Sequence, residues 1–220
     1  MLESAETGHR ISKADYVREE PKLREALLNA QFDLSQSGRG PVLLIISGVE
    51  GGGRGETANQ LTEWMDPRHI RVLAFGAPTP EETAHPPAWR YWRVLPPRGK
   101  IGMFMNAWYN ELLAARIDGR IGGSKLEARM AAIREHERML TDEGLVLLKF
   151  WIHLSKSAQK ERMRELADDP RTRWRVTRDD RARARTTRSR TVCGSTCCAT
   201  RRLPRRRGTW SKAPTSGTAV

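Results

Sequence analysis

Residues Pro41-Val42-Leu43-Leu44-Ile45-Ile46 form an unbroken apolar run, followed directly by Ser47-Gly48-Val49-Glu50-Gly51-Gly52-Gly53-Arg54-Gly55-Glu56-Thr57. An apolar run without alternation fits a parallel strand covered on both faces. Glycines at 48, 51, 52, 53 and 55 let the chain curl tightly. Ala58, Leu61, Trp64 and Met65 then recur at helical spacing. Strand, glycine loop and helix in this order bring several backbone N–H groups, and the positive end of a helix, around one anion. That is the build of a phosphate-binding loop. Gly48 and Gly53 match the first part of the Walker A spacing. Arg54 stands where that pattern has lysine, and Gly55 where it has Ser or Thr. On local residues alone, a glycine turn without a ligand is the alternative.

A chain of 220 residues holds one α/β domain with a sizeable core. Its charge is unevenly placed. Eleven arginines and one lysine against Asp179 and Asp180 put +10 of the overall +13 beyond Thr177, leaving +3 for residues 1–177. The high isoelectric point therefore belongs to the tail. Cys193, Cys197 and Cys198 lie there too, without paired histidines, so no zinc site and no disulfide core is expected. No run approaches the roughly 20 apolar residues of a membrane span, and Met1–Glu6 lacks the regions of a signal peptide. A cytoplasmic location and no membrane partner are the expectation.

Three parts are read along the chain. Residues 1–40 form an N-terminal arm with one helix, roughly Glu20 to Ser35, in which Pro21 occupies the first turn. Residues 41–177 form the domain proper. Its further strands are Ile70–Phe75, Ile101–Met105 and Leu145–Ile152, the last read as fully buried. Between them Pro87 opens a short aromatic helix, Ser124-Lys125-Leu126-Glu127 reads as a capping box, and Ser155 or Ser157 caps a final helix. Trp89, Trp92, Trp108, Tyr109 and Trp151 are assigned to packing, and His153 to a structural role. Apolar strands alternating with helices predict a parallel sheet with helices on both faces. Residues 178–220 have few large apolar side chains and no periodicity, which predicts a disordered basic tail.

Four segments, taken together, resemble the polyphosphate kinase 2 family: Gly48–Thr57, Trp89–Gly99, Phe104–Tyr109 and Lys149–Lys156. Within that family they look closest to the N-terminal half of the two-domain polyphosphate:AMP phosphotransferases. The likeness covers about residues 35–177. It implies a P-loop kinase-like fold, transfer of phosphoryl groups between inorganic polyphosphate and a nucleotide (AMP or ADP), and magnesium as cofactor. Residue by residue, it implies that Gly48, Gly51, Gly52, Gly53, Arg54, Gly55, Glu56 and Thr57 cradle phosphate. Glu50 and Arg54 become the catalytic candidates, while Arg116, Arg120 and Lys125 fall in the family's lid and would hold the polyanion.

The departures bear on chemistry. Active relatives have Asp and Arg where Met105 and Asn106 stand, Asp at position 50 and Lys at position 54. Arginine for lysine exchanges a compact ammonium for a planar fork. Losing a carboxylate and a cation together impairs a reaction that rests on positioning and charge neutralisation. Two readings follow: a weakened phosphotransferase, or a non-catalytic half-domain that binds polyphosphate and pairs with a catalytic partner or a second copy. The tail adds only nonspecific attraction for nucleic acid. A shifted reading frame near Thr177 is expected to account for the tail's composition.

Overall fold

Val42–Gly48 forms strand β1, whose side chains are buried on both sides, with Leu43, Ile45 and Ile46 at 1% exposure or less. The structure, a computed structural model, describes residues 11–178 and Ala184. Strands β2 (Ile70–Ala74), β3 (Ile101–Met105) and β4 (Val146–Ile152) join β1 in a parallel sheet of order β2-β3-β1-β4. In register, Leu44 lies between Met103 and Leu148, and Ile46 between Met105 and Phe150.

Helices α1 (Lys13–Gln36) and α2 (Arg54–Trp64) come first, then the short α3 (Pro80–Thr83) and α4 (Trp89–Trp92). α5 (Trp108–Ile117), α6 (Gly123–Asp142) and α7 (Lys156–Asp168) complete the set. One sheet face packs Leu43, Ile45 and Phe104 against Trp108, Tyr109, Leu112 and Leu113 of α5 and Met130 of α6. The other packs Leu44, Ile46 and Met103 against Ala58 and Leu61 of α2, with Leu27 and Leu34 of α1. The expected α/β architecture, with helices on both faces, is what forms. Its site-side end is where β1 and β3 stop and the glycine loop and α5 begin.

A buried polar cluster ties the α5 face together. Glu137 of α6, 8% exposed, accepts hydrogen bonds from Trp108 Nε1 at 3.1 Å, Tyr109 Oη at 2.7 Å and Lys149 Nζ at 2.8 Å. Lys149 opens one of the four segments that carry the resemblance, and this contact gives it a structural role. Removing either charge would leave the other in low dielectric without its partner, which is why such groups stay together.

Three local expectations are corrected. α1 starts at Lys13, capped by Ser12, whose hydroxyl accepts from Asp15 N at 3.0 Å. Its first turns carry exposed charged pairs such as Arg18–Asp15 instead of an apolar stripe, so periodicity missed them. Pro21 therefore sits inside the helix; the carbonyl it cannot serve belongs to Val17, which is 59% exposed and within reach of water. α6 starts at Gly123 with Gly122 at its cap, so Ser124 is a helical residue and no capping box forms there. β4 lies at a sheet edge among the described residues: Val146, Leu148 and Phe150 are 49%, 42% and 46% exposed. A run of apolar residues does not say which strand is outermost. The other strand expectations, the aromatic turn at Trp89 and the Ser155 cap of α7 are all formed. The arginine-rich stretch after Arg178 and its cysteines lie outside the described residues, Ala184 apart.

Candidate phosphate-binding site

Loop 48–53 is shaped by its own backbone. Gly48 ends β1 with φ of 153°, and Val49 N donates to Ile152 O of β4 at 3.0 Å. Gly52 N closes a turn onto Val49 O at 3.2 Å. Gly53, at φ of 93°, is the cap of α2 and offers no side chain to it. The first N–H groups of a helix have no intrahelical acceptor. Here those of Arg54, Gly55 and Glu56 find no other protein acceptor among the described residues. They point a helix's positive end at whatever anion enters.

Two side chains from different parts of the sequence meet at Arg54. Its Nη2 donates to Glu50 Oε2 at 2.5 Å, and its Nη1 donates to Asn106 Oδ1 at 2.5 Å. Glu50 is 8% exposed, so the carboxylate is buried and neutralised. Asn106 follows β3 directly and has φ of 57°, the one positive value outside glycine among the described residues. Asparagine tolerates this left-handed conformation better than most side chains. Met105, beside it, packs into the α2-side core.

Two hollows flank the loop. One, of about 380 Å³, is lined by Glu50 to Glu56, Asn59, Met163, Leu166, Trp174 and Arg175. The other, of about 370 Å³, is lined by Gly51 to Gly53, Glu56 and α7 residues including Glu161, Arg162 and Glu165. Three carboxylates against one guanidinium make the second hostile to a polyanion. The first sets Arg54 and Arg175 against Glu50 and Glu56, so it is the less acidic of the two and the better placed for phosphate. Glu56 accepts from Arg175 Nη1 at 3.0 Å and lies 3.8 Å from Arg162 Nη2, so it holds both arginines at the loop. Thr57 turns its hydroxyl back onto Gly53 O at 2.9 Å.

Residues of α7 were not anticipated. Gln159, 2% exposed, donates through Nε2 to Glu50 O at 2.7 Å and fixes the loop from behind. Met163, one turn on, touches the space over Gly51, at 3.2 Å from a Cβ built there. Positions 159, 162, 163 and 166 form one helical face, and that face meets the loop. The signal was a helical stripe whose members are mostly polar. Arg116, Arg120 and Lys125 are elsewhere: Arg116 donates to Ile121 O at 3.2 Å, Arg120 pairs with Asp118 at 3.0 Å, and Lys125 is exposed. None of the three lines either hollow. A third, apolar hollow of about 250 Å³ lies between α4, α5 and α6 and shares no lining residue with the loop. Burial pushes the Tyr91 phenol on its wall up to about 12 and holds the His136 imidazole below its usual range.

The family profile described as Polyphosphate kinase 2 matches residues 10–192 of this chain. The chain belongs to the polyphosphate kinase 2 family. The match reaches past both ends of the segment 35–177 that the motifs mark. A polyphosphate:AMP phosphotransferase of Pseudomonas aeruginosa is 51% identical over 176 residues, 80% of this chain and 36% of that protein. An AMP/ADP-polyphosphate phosphotransferase of Meiothermus ruber is 32% identical over 160 residues, 70% of this chain and 60% of that one. The crystal structure of polyphosphate kinase 2 from Arthrobacter aurescens TC1 superposes with a TM-score of 0.81 at 30% identity, over 87% of this chain and 69% of that one. The chain thus spans about a third of the length of the Pseudomonas relative.

For a polyphosphate kinase 2 fold the magnesium question has a structural answer in the donors. Among the described residues no three His, Cys, Asp or Glu side chains converge on a metal position. At the loop, Glu50 Oε2 and Asn106 Oδ1 are both spent on Arg54. Such a donor set makes no all-protein cage; a magnesium ion here would be held by the Glu50 carboxylate together with substrate phosphates and water. The loop itself has spare room. A Cβ added at Gly55 meets nothing within 4 Å. Gly55→Ala is therefore expected to raise stability by about 0.5–1 kcal/mol, by reducing unfolded-state freedom. A thermal melt checks it; a lower melting point would mean that the α2 start is strained in a way the backbone does not show.

No helix among the described residues is long and apolar enough to cross a membrane.

Proposed function

We propose that this chain is a polyphosphate-binding phosphotransferase domain whose own phosphoryl transfer to AMP or ADP is weakened. One observation carries the reading: the guanidinium of Arg54 sits at the mouth of the glycine loop, where α2 amides and Arg175 also converge. Guanidinium N–H groups and backbone amides match phosphate oxygens in geometry and charge. Relatives with 51% and 32% identity are named for transfer between polyphosphate and AMP or ADP, which supplies the substrate class. What argues for weakened turnover is the β3 end, where Met105 and Asn106 offer neither carboxylate nor cation to the reacting phosphate.

The chain's residues have separable tasks under this reading. The loop amides and Arg54 bind and orient the terminal phosphates, Gln159 holds the loop's shape, and Glu56 keeps Arg162 and Arg175 near the chain's path. Binding of polyphosphate is measured by titration calorimetry on the full chain, with nucleotide product followed in parallel. Arg54→Ala is expected to weaken binding about tenfold or more, the worth of a charge-assisted hydrogen bond. The arginine-rich segment is common to both proteins, so the difference reports the loop. Equal affinity in the variant would remove the loop from the binding site and with it this function.

A further inference from the structure

We infer that Glu137 of α6 is a positioning residue for the phosphate site: it holds Asn106, and through it the Arg54 guanidinium, in the orientation that receives polyphosphate. The inference rests on the polyphosphate-binding reading above and deepens it. Arg54 has two anchors. Glu50 belongs to its own loop, whereas Asn106 reaches it from the end of β3. Asn106 sits at φ of 57°, a left-handed conformation that persists only where its surroundings over-determine it. On one side the constraint is the sheet, where Met105 is in register with Ile46 and Ala74. On the other it is the first turn of α5, which opens at Trp108 with no side-chain cap from Ala107. Side chains pin that turn instead. Trp108 Nε1 and Tyr109 Oη both donate to Glu137 Oε1, at 3.1 and 2.7 Å.

Glu137 is itself held. Its Oε2 accepts from Lys149 Nζ at 2.8 Å, and the same ammonium donates to Tyr109 Oη at 3.1 Å. Lys149 stands in β4 opposite Ile45 of β1, the strand that runs into the glycine loop. Glu137 is 8% exposed and the Lys149 side chain 19%, so water competes weakly for these charge-assisted bonds. One carboxylate therefore ties the start of α5 to α6 and β4 together. Without that acceptor the first turn of α5 loses its register, the left-handed residue before it relaxes, and Arg54 keeps Glu50 alone.

The test is titration calorimetry of the full chain with polyphosphate, on Glu137→Leu/Lys149→Met and on the same pair with Arg54→Ala added. Replacing both members removes the acceptor without stranding a buried charge. With Arg54 present, binding is expected to weaken about fivefold, the worth of one hydrogen bond. With alanine at 54, the pair should change affinity by less than about twofold, because Glu137 acts through the guanidinium. Equal losses in both backgrounds would mean general damage and overturn the inference; so would unchanged affinity beside Arg54. Both results leave polyphosphate binding intact if Arg54→Ala alone is weaker. An Arg54→Ala variant that binds like wild type overturns the binding reading as well. Glu137→Gln/Lys149→Met keeps an oxygen for Trp108 and Tyr109 and is expected to bind within about twofold of wild type. If it is as weak as the leucine pair, the acceptor is not what positions the site. Should the leucine pair fail to fold by circular dichroism, Tyr109→Phe deletes a single hydroxyl and carries the same comparison, with the same pattern expected.

Discussion

Gly48→Ala is expected to lower the melting temperature by about 10 °C, the response of a domain of this size to a loss of roughly 3–5 kcal/mol. The side chain has nowhere to go. A Cβ built on Gly48 would lie 2.1 Å from Ile152 O and 2.9 Å from Ile152 N, both backbone atoms of the neighbouring strand. At φ of 153° the residue is also in a region that side chains avoid. Overpacking and backbone strain each cost about 1–3 kcal/mol. Gly48 pairs with Ile152 in the sheet register, so relief requires β1 and β4 to separate at the point where the loop departs. A thermal or denaturant melt decides it. A variant melting within about 2 °C of wild type would show that this junction is looser than its geometry.

Met105→Asp combined with Asn106→Arg is expected to raise nucleotide phosphorylation from polyphosphate by about 100-fold, the usual worth of one group that stabilises transition-state charge. The fold should tolerate the change at a modest cost. Met105 is only partly buried, and arginine at the left-handed position of Asn106 costs about 1–2 kcal/mol. The substitution also removes the Asn106 acceptor from Arg54 and sets a second cation beside it. Asp at 105 answers part of that repulsion. Product formation is followed with AMP and with ADP, and circular dichroism checks the fold. Turnover that stays at the wild-type level would place the reacting phosphate away from the β3 end.

The glycine loop and the β1 strand were legible because both are local: an unbroken apolar run and clustered glycines announce themselves within a dozen residues. The second half of the site was not. Asn106 was recognised only as a departure from a family pattern, and its bond to Arg54 spans 52 positions of sequence. Gln159, Arg162 and Arg175 were invisible for a related reason. They sit on exposed-looking polar segments, and what gives them meaning is the docking of α7 behind the loop. Arg116, Arg120 and Lys125, by contrast, were singled out by the resemblance to the family's lid. The partners of the two arginines are Ile121 and Asp118, and none of the three lines the hollows beside the loop. Glu50 and Arg54 were singled out separately, and only the fold shows that the one neutralises the other.

Edge strand β4 has a bearing on how copies of this chain treat one another. Among the described residues, Val146, Leu148 and Phe150 offer an oily seam on a strand with no neighbour on its outer side, a surface that invites adhesion of further strands. What opposes it is mutual repulsion between molecules that each carry +13. Repulsion of that kind fades over about 10 Å at 0.1 M salt. Colloidal behaviour is therefore set by ionic strength: dilute buffer keeps the molecules apart, and concentrated electrolyte lets the seams find each other.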